Sequence, residues 1–264
     1  MRMKELFIIS SIILLAVTII YIGIYVIQEK SKIPILLYHH ILKDEENINF
    51  RGNGAVISLE QFEEQMKFLY NNGYQSINLN ELYDYIYLKK ELPDKSFMIT
   101  FDDGYLSNYV YAYPILKKYG FNATIFLITS NVPENEGVFN PNALNILDWQ
   151  TINEMKDVFE FCSHTHDMHK KVENTPVLLS EKRDSILKDL KVSLEYPVEN
   201  IGFSYPFGAH DEKVMDTFKE LDVKLAFTIE EGYVTQWTNP YTINRFIIDP
   251  QTSYDRFQEI MIAK

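Results

Sequence analysis

The sequence predicts an α/β protein in which helices cover a parallel sheet. Short apolar runs typical of buried strands alternate along the chain with amphipathic runs typical of helices, and the connections are mostly short. Seven or eight such strands suit a distorted barrel better than an open sheet. A separate uncharged apolar stretch at the N-terminus predicts one transmembrane helix ahead of this domain.

Length and composition favour one large globular domain. The chain has 264 residues, of which 46% are hydrophobic and 23% charged, and its formal net charge is -12. An acidic surface repels phosphate backbones, so nucleic acid is not an expected partner, whereas a neutral or cationic glycan is compatible with it. Cys162 is the only cysteine, so no disulfide can form within the chain.

The N-terminal stretch from Leu6 to Ile27 contains no charged residue. A helix of that length crosses a hydrocarbon core of about 30 Å. Its bulky end favours an uncleaved anchor, and the alternative is a signal peptide cut near Gly23, which would release a secreted protein. We expect a cytoplasmic segment at 1–5, the membrane anchor at 6–27, a linker at 28–33 and an extracellular domain at 34–264. Basic residues flank the anchor almost equally, so its orientation depends on the chemistry below.

The strand predictions depend on short apolar, aromatic or β-branched runs. They are Ile35 to Tyr38, Tyr74 to Leu79, Ser96 to Phe101, Ala123 to Ile128, Phe159 to Cys162, Ile201 to Tyr205, Leu225 to Ile229 and Ile243 to Ile248.

The helix predictions depend on capping residues and terminal glycines. Ser58 with Gln61 forms a capping-box signature, and Gly73 and Gly120 mark helix ends. The predicted helices are Phe62 to Leu69, Asn80 to Leu88, Val110 to Tyr119, Asp148 to Val158, Ser180 to Leu194, Asp211 to Leu221 and Ser253 to Ile262. The loop from Thr129 to Leu147 has no clear pattern and is expected on the substrate side.

Polar residues gather where predicted strands end. They are His39 and His40, Asp102 and Asp103, the group His164, His166 and His169, and Tyr205 with Pro206. In a parallel β/α barrel the carboxyl ends of the strands meet at one face, which collects catalytic groups.

Two of these groups suggest a metal site. Adjacent carboxylates at Asp102 and Asp103 are costly unless something positive binds them, although an Asp-Asp-Gly turn is the simpler alternative. Two histidines and one aspartate leave coordination positions open for water and substrate. His164 and His169 are the candidate histidine ligands, and His166 is an alternative. If no metal binds, the segment is a polar surface loop in which histidines occur by chance.

Such a set suits hydrolysis of an amide. The reaction needs a metal to polarise the carbonyl, a base for the attacking water, donors for the oxyanion and an acid for the leaving amine. Asp103, His164 and His169 can hold the metal, and Asp102 can act as the base. The backbone N–H of Tyr205 is the candidate oxyanion donor, and a histidine of the first strand is the candidate acid.

Three motifs resemble those of the NodB-homology polysaccharide deacetylases of the carbohydrate esterase 4 type. They are Thr100-Phe101-Asp102-Asp103-Gly104, Ser163-His164-Thr165 with a later histidine, and Ser204-Tyr205-Pro206-Phe207-Gly208. The resemblance covers the chain from about Pro34 to Arg256 and implies a NodB-like, distorted (β/α)7-type barrel. It also implies that the first aspartate of the pair is the base and the second a metal ligand.

Two departures from the common family pattern matter. Met168 stands four positions after His164, and the next histidine, His169, stands five after it, which resembles the branch acting on poly-β-1,6-N-acetylglucosamine of biofilms. That branch also begins with a strand ending in Tyr-His, as Tyr38-His39 does here, and the resemblance therefore implies His39 rather than His40 as the acid.

The second departure lies in the third motif, where many relatives carry an arginine that orients the base. Ile201, Gly202 and Phe203 occupy that stretch here. Arg245 on the last strand is the candidate replacement, with an ordinary salt bridge as the alternative, and it is also our candidate for substrate binding.

We therefore expect a metal-dependent N-deacetylase of an extracellular N-acetylglucosamine polymer, anchored in the membrane. Zn²⁺ is the expected ion, and Co²⁺, Ni²⁺ or Fe²⁺ also fit this ligand set. The alternatives are a deacetylase of peptidoglycan, chitin oligomers or acetylated xylan, and a catalytically silent glycan-binding domain. The sequence identifies no synthase partner.

Overall fold

The computed structural model describes residues 9–19, 21, 32–135 and 137–262. Residues 9–19 are helical. None of the helices formed by the described residues is both long and apolar enough to cross a bilayer. Apart from residue 21, the rest of the predicted anchor at 6–27 and the linker up to residue 31 lie outside the described residues.

The described residues form twelve strands, numbered in chain order. They are β1 (Ile35–Tyr38), β2 (His40–Leu42), β3 (Val56–Ser58), β4 (Gln75–Ser76), β5 (Ser96–Asp103), β6 (Ala123–Leu127), β7 (Phe159–Ser163), β8 (Lys171–Val172), β9 (Thr175–Pro176), β10 (Glu199–Ser204), β11 (Leu225–Phe227) and β12 (Phe246–Ile247).

The main sheet is parallel, and its strands follow the spatial order β11-β10-β7-β6-β5-β1-β12, with β4 paired to β5. A single parallel bridge joins Phe227 of β11 to Ile243, and β12 pairs with β1. The segment 243–247 therefore touches both edges of the curved sheet. This arrangement is a half-barrel of parallel strands and confirms the predicted α/β class.

The helices lie between the strands, as the alternating pattern predicts. They span Leu59–Asn71, Leu79–Tyr87, Tyr113–Tyr119, Trp149–Glu154, Val177–Ser180, Arg183–Ser193, Glu212–Leu221 and Tyr254–Ile262, with a π-helical turn at Asn108–Ala112 and 3-10 turns at Thr129–Asn131 and Pro206–Gly208.

Three predicted helix caps are present. The side chains of Ser58, Asp148 and Asp211 each accept a hydrogen bond from the backbone N–H three residues later. The Gln61 side chain, however, donates to the Asp249 and Thr252 carbonyls, so the predicted reciprocal half of its capping box does not form.

Two predicted helix starts are wrong. Asn78, not Asn80, caps Leu79–Tyr87, because Glu81 completes a capping box with it. Ser180 ends a short helix, and the next one begins after Lys182.

The interior of the half-barrel is filled. Inward-facing side chains of the strands form an apolar cluster with Leu79 that includes Ile35, Met98, Phe126 and Cys162. Cys162 is fully buried there, and a Cβ atom on Gly202 would lie 2.9 Å from its sulfur. A packed interior leaves only the ends of the strands for a functional site.

Candidate active site

Asp102 lies at the end of β5 and points into the half-barrel. Alternate residues of a strand face the same side, so Asp102 shares its side with Met98 and Thr100. The Arg245 guanidinium donates two hydrogen bonds of 2.8 Å to the carboxylate, and the Ser204 hydroxyl donates a third at 3.0 Å. The carboxylate is thus held in one orientation by two residues, Arg245 next to β12 and Ser204 at the end of β10.

Arg245 is itself fully buried and anchored. Its Nε donates to the Thr228 carbonyl at 2.8 Å, and its Nη2 also donates to the Ser204 hydroxyl at 2.9 Å. Burial alone would raise the pKa of Asp102, but the charge of Arg245, with smaller effects of His164 and His39, holds that pKa well below its ordinary value. Asp102 is therefore ionised.

Asp103, His164 and His169 meet beside Asp102. One ligand atom from each lies within 4.8 Å of the others. His164 Nε2 lies 3.7 Å and His169 Nε2 lies 3.5 Å from the same Asp103 oxygen, and His164 Nε2 is 3.9 Å from Asp102. The structure brings together these three predicted ligands.

His164 is oriented by a neighbouring strand. Its Nδ1 forms a 2.7 Å hydrogen bond with the Ser204 carbonyl, which leaves Nε2 directed at the aspartates. Burial lowers the pKa of His164 to about 4, against the opposing charge of Asp102. The imidazole is therefore neutral near neutral pH, which is the form that coordinates a metal.

The backbone around these groups is strained. Asp103, Thr165 and Phe207 have φ angles of 72°, 75° and 59°, a region that side chains other than glycine seldom occupy. Gly104 follows with φ of 79°, and a Cβ atom there would lie 2.6 Å from the Leu127 side chain. Such conformations concentrate at functional sites, where the surrounding structure holds them in place.

The residues present fit a divalent cation. Oδ1 of Asp103 is buried and forms no hydrogen bond with any described residue, although both imidazoles point their Nε2 atoms at it. A buried carboxylate oxygen without a partner is costly, and a cation removes that cost. Two imidazoles and one carboxylate form a ligand set suited to Zn²⁺ and related ions.

His166, the alternative ligand, lies apart from this cluster. Its Nδ1 is 3.0 Å from the Thr129 hydroxyl, and its ring stacks on Tyr196. The Asp189 carboxylate accepts hydrogen bonds from the backbone N–H groups of His166 and Asp167, which holds the loop in shape.

The two histidines after β1 occupy different environments. His39 is half-buried and close enough to Asp102 for its charge to lower the pKa of that carboxyl. His40 is 1% exposed, its Nδ1 lies 2.6 Å from the Ser107 hydroxyl, and burial lowers its pKa to about 4. His39 thus lies near Asp102, and His40 lies in the packed layer next to Ser107.

The backbone N–H of Tyr205 is already engaged. It donates to the Phe227 carbonyl at 3.1 Å where β10 pairs with β11, which argues against the predicted oxyanion role. The N–H of Phe207, two residues later, takes part in no hydrogen bond among the described residues, and the Phe207 ring lies 4.5 Å from the His169 ring. A free N–H beside the metal ligands can serve a developing oxyanion.

Arg245 also differs from one expectation. It takes the place of the motif's missing arginine, but it is fully buried behind Asp102 and has no surface to offer a substrate. Sequence reasoning did not identify Ser204 or Tyr105 as site residues. Ser204 bridges Asp102 and Arg245, and burial together with the neighbouring Asp103 raises the pKa of Tyr105. Ser204 is the first residue of the third motif and Tyr105 directly follows the first motif, and these positions are the one signal in the sequence that points to them.

Comparisons with known proteins find relatives of this chain by sequence. A sequence model of the polysaccharide deacetylase family matches residues 89–226. A poly-β-1,6-N-acetyl-D-glucosamine N-deacetylase of Staphylococcus aureus is 34% identical over 215 residues, which are 78% of this chain and 70% of that protein.

Solved structures agree with the fold. The deacetylase PplD of Streptococcus pyogenes, in complex with acetate, superposes with a TM-score of 0.74 at 28% identity, covering 87% of this chain and 98% of that one. IcaB from Ammonifex degensii gives a TM-score of 0.71 at 24% identity, covering 88% and 96%.

Proposed function

Because the chain belongs to the polysaccharide deacetylase family, and so to the hydrolases that remove N-acetyl groups from polysaccharides, we propose that its substrate is poly-β-1,6-N-acetyl-D-glucosamine outside the cell. We further propose that it requires a divalent metal ion, with Zn²⁺ as the first choice. The observation that carries the proposal is the cluster of Asp103, His164 and His169 beside the arginine-held Asp102.

The choice of polymer has two supports. The Staphylococcus aureus relative bears that polymer in its name. The five-residue step from His164 to His169 and the Tyr38-His39 strand end also resemble that branch of the family. Biofilm matrix is the setting in which such a polymer would be met.

A divalent ion held by Asp103, His164 and His169 would polarise the acetyl carbonyl and lower the pKa of the attacking water. Asp102 accepts the proton of that water, with Arg245 and Ser204 holding its carboxylate in position. The Phe207 N–H donates to the oxyanion as the tetrahedral centre forms. His39 gives a proton to the amine nitrogen, which must leave as a neutral amine.

We propose that the enzyme is held at the outer face of the cell membrane by residues 6–27, with residues 1–5 in the cytoplasm. The support is the uncharged apolar stretch itself, together with a substrate that lies outside the cell. Secretion after cleavage near Gly23 is the competing arrangement.

Acetate release tests the proposal. The full chain in detergent, loaded with Zn²⁺, is offered β-1,6- and β-1,4-linked N-acetylglucosamine oligomers in parallel. We expect release from the β-1,6 oligomer, abolished by chelation, restored by Zn²⁺, and reduced by about 10²- to 10⁴-fold in Asp102→Asn. A preference for β-1,4 chains would indicate cell-wall or chitin deacetylation, and metal binding without release from either would indicate a glycan-binding role.

A further inference from the structure

We propose that the surface formed by Tyr87, Leu88, Lys89 and Trp237 rests on the lipid bilayer that holds the N-terminal anchor. We call this surface the basal patch. The inference depends on the proposed membrane anchoring and adds the orientation of the enzyme, with the catalytic end of the half-barrel directed away from the membrane.

The basal patch is exposed and built from two segments. Trp237 is 71% exposed, Leu88 is 54% exposed and Tyr87 is 40% exposed. Gln236 Nε2 donates to the Lys89 carbonyl at 3.0 Å, and Lys89 Nζ lies 4.5 Å from the centre of the Trp237 ring. These contacts fix the two segments side by side, so the large side chains present one continuous surface.

The chain leaves the domain next to the basal patch. Ile33 pairs with Val234 through two backbone hydrogen bonds of 2.8 and 2.9 Å, three residues before Trp237. Six residue steps separate Ile33 from Ile27, the end of the predicted anchor. A fully extended chain covers at most about 21 Å in six steps, so the anchor keeps this end of the domain close to the bilayer.

The active site lies at the opposite end. β1 runs from Ile35 to Tyr38 and leads directly into His39. At about 3.3 Å per residue, six residues place His39 about 20 Å from Ile33 along the strand. The helix Leu79–Tyr87 covers the end of the half-barrel that lies next to the basal patch, because the Leu79 N–H donates to Glu160 at the start of β7.

The chemistry of the basal patch suits the interface between lipid and water. Tryptophan and tyrosine rings are enriched at the headgroup level, and lysine buries its aliphatic stem while its ammonium group stays among phosphates. Leu88 adds an aliphatic contact, and the neighbouring Lys90 is neutralised by Asp84 at 2.7 Å. The basal patch thus offers apolar contacts and one cationic side chain, and none of its four residues is acidic.

The two tryptophans of the chain make this proposal directly testable. The full chain is reconstituted into phosphatidylcholine–phosphatidylglycerol vesicles whose acyl chains carry bromine near the glycerol. Trp149→Phe leaves Trp237 as the reporter, and the matched Trp237→Phe leaves Trp149. Trp149 is half-buried, stacks on Tyr196 at 5.2 Å and lies outside the basal patch.

We expect bromolipid to quench the Trp237 emission by about half, since interfacial groups sit about 5–10 Å deep, and to leave Trp149 emission unchanged. Equal quenching of both tryptophans, no quenching of Trp237, or failure of the chain to float with vesicles would each overturn the proposal. Acetate release measured in the same vesicles separates the two ideas, because activity with an unquenched Trp237 rejects only the orientation, and quenching without activity rejects only the proposed function.

Discussion

Replacing Arg245 by methionine should test how the catalytic aspartate is held. Methionine keeps much of the length of the side chain but removes every donor, and Asp102 would keep only the hydroxyl of Ser204. Asp102 is 3% exposed and Arg245 is fully buried, so water cannot replace the lost partner. The variant therefore leaves a buried carboxylate without its counter-charge.

The expected cost follows from that burial. Breaking a buried ion pair by removing one partner costs about 3–5 kcal/mol, because the remaining charge has no compensation. The lost hydrogen bond from Arg245 to the Thr228 carbonyl adds to this cost. Removing both charges together, in Asp102→Asn with Arg245→Met, should recover a large part of it, because no uncompensated charge remains.

Urea unfolding at neutral pH measures these free energies. The matched control is Arg256→Met, whose partners Glu231 and Glu259 are about half exposed or more, so that its loss should cost no more than about 1 kcal/mol. Acetate release by folded Arg245→Met should also fall, since Asp102 is no longer held in position.

Equal losses of unfolding free energy in Arg245→Met and Arg256→Met would contradict this prediction. It would mean that the guanidinium does not compensate Asp102 in solution. A double variant as unstable as the sum of the two single variants would refute the pairing as well, because coupled neighbours must depart from additivity.

Three further predictions concern the site and its support. His169→Ala should weaken Zn²⁺ binding, measured by calorimetry, by more than about 100-fold, because the loss of a group that only supports a ligand already weakens metal binding by up to about 100-fold. His166→Ala should change Zn²⁺ binding little, and equal effects of the two substitutions would contradict the ligand assignment. Gly104→Ala should destabilise the protein by about 1–3 kcal/mol in urea unfolding, because of its positive φ and the 2.6 Å contact of a new methyl group, whereas Gly54→Ala, in open space, should be nearly neutral. Burial raises the pKa of Glu160, so the folded protein binds that proton more tightly than the unfolded chain, and stability is lost as pH rises above the ordinary value and through the raised one. Glu160→Gln should therefore raise the urea midpoint at about pH 7 but not at about pH 4, and an equal shift at both would contradict this.

The architecture and the centre of the site could be predicted from the sequence. Strand and helix periods depend on neighbouring residues, so the alternating pattern and the caps at Ser58, Asp148 and Asp211 were readable directly. Parallel topology then requires that side chains at strand ends share one face. The convergence of Asp103, His164 and His169 follows from that rule together with the motifs.

Other features depended on contacts between residues far apart in the chain. The sequence does not show which backbone N–H groups a sheet already uses. It therefore predicts the N–H of Tyr205 as the oxyanion donor, whereas among the described residues it is the N–H of Phe207 that forms no hydrogen bond. The sequence leaves His166 and His169 as candidates for one ligand position. In the structure the backbone of His166 is held by Asp189 and its ring contacts Thr129, so His166 lies apart from the metal ligands.

The class of fold, the chemical groups available and the sheet edge at which they gather follow from local periodicity and from the carboxyl ends of parallel strands, so the sequence is enough to predict them. The folded chain is needed to show which of these groups face one another. Arg245 reaches Asp102 from 143 residues away, and Ser204 completes the pair from a third strand. Such contacts depend on packing and on the need to give every buried polar atom a hydrogen-bond partner. Both involve residues far apart in the chain, so no short stretch of sequence predicts them.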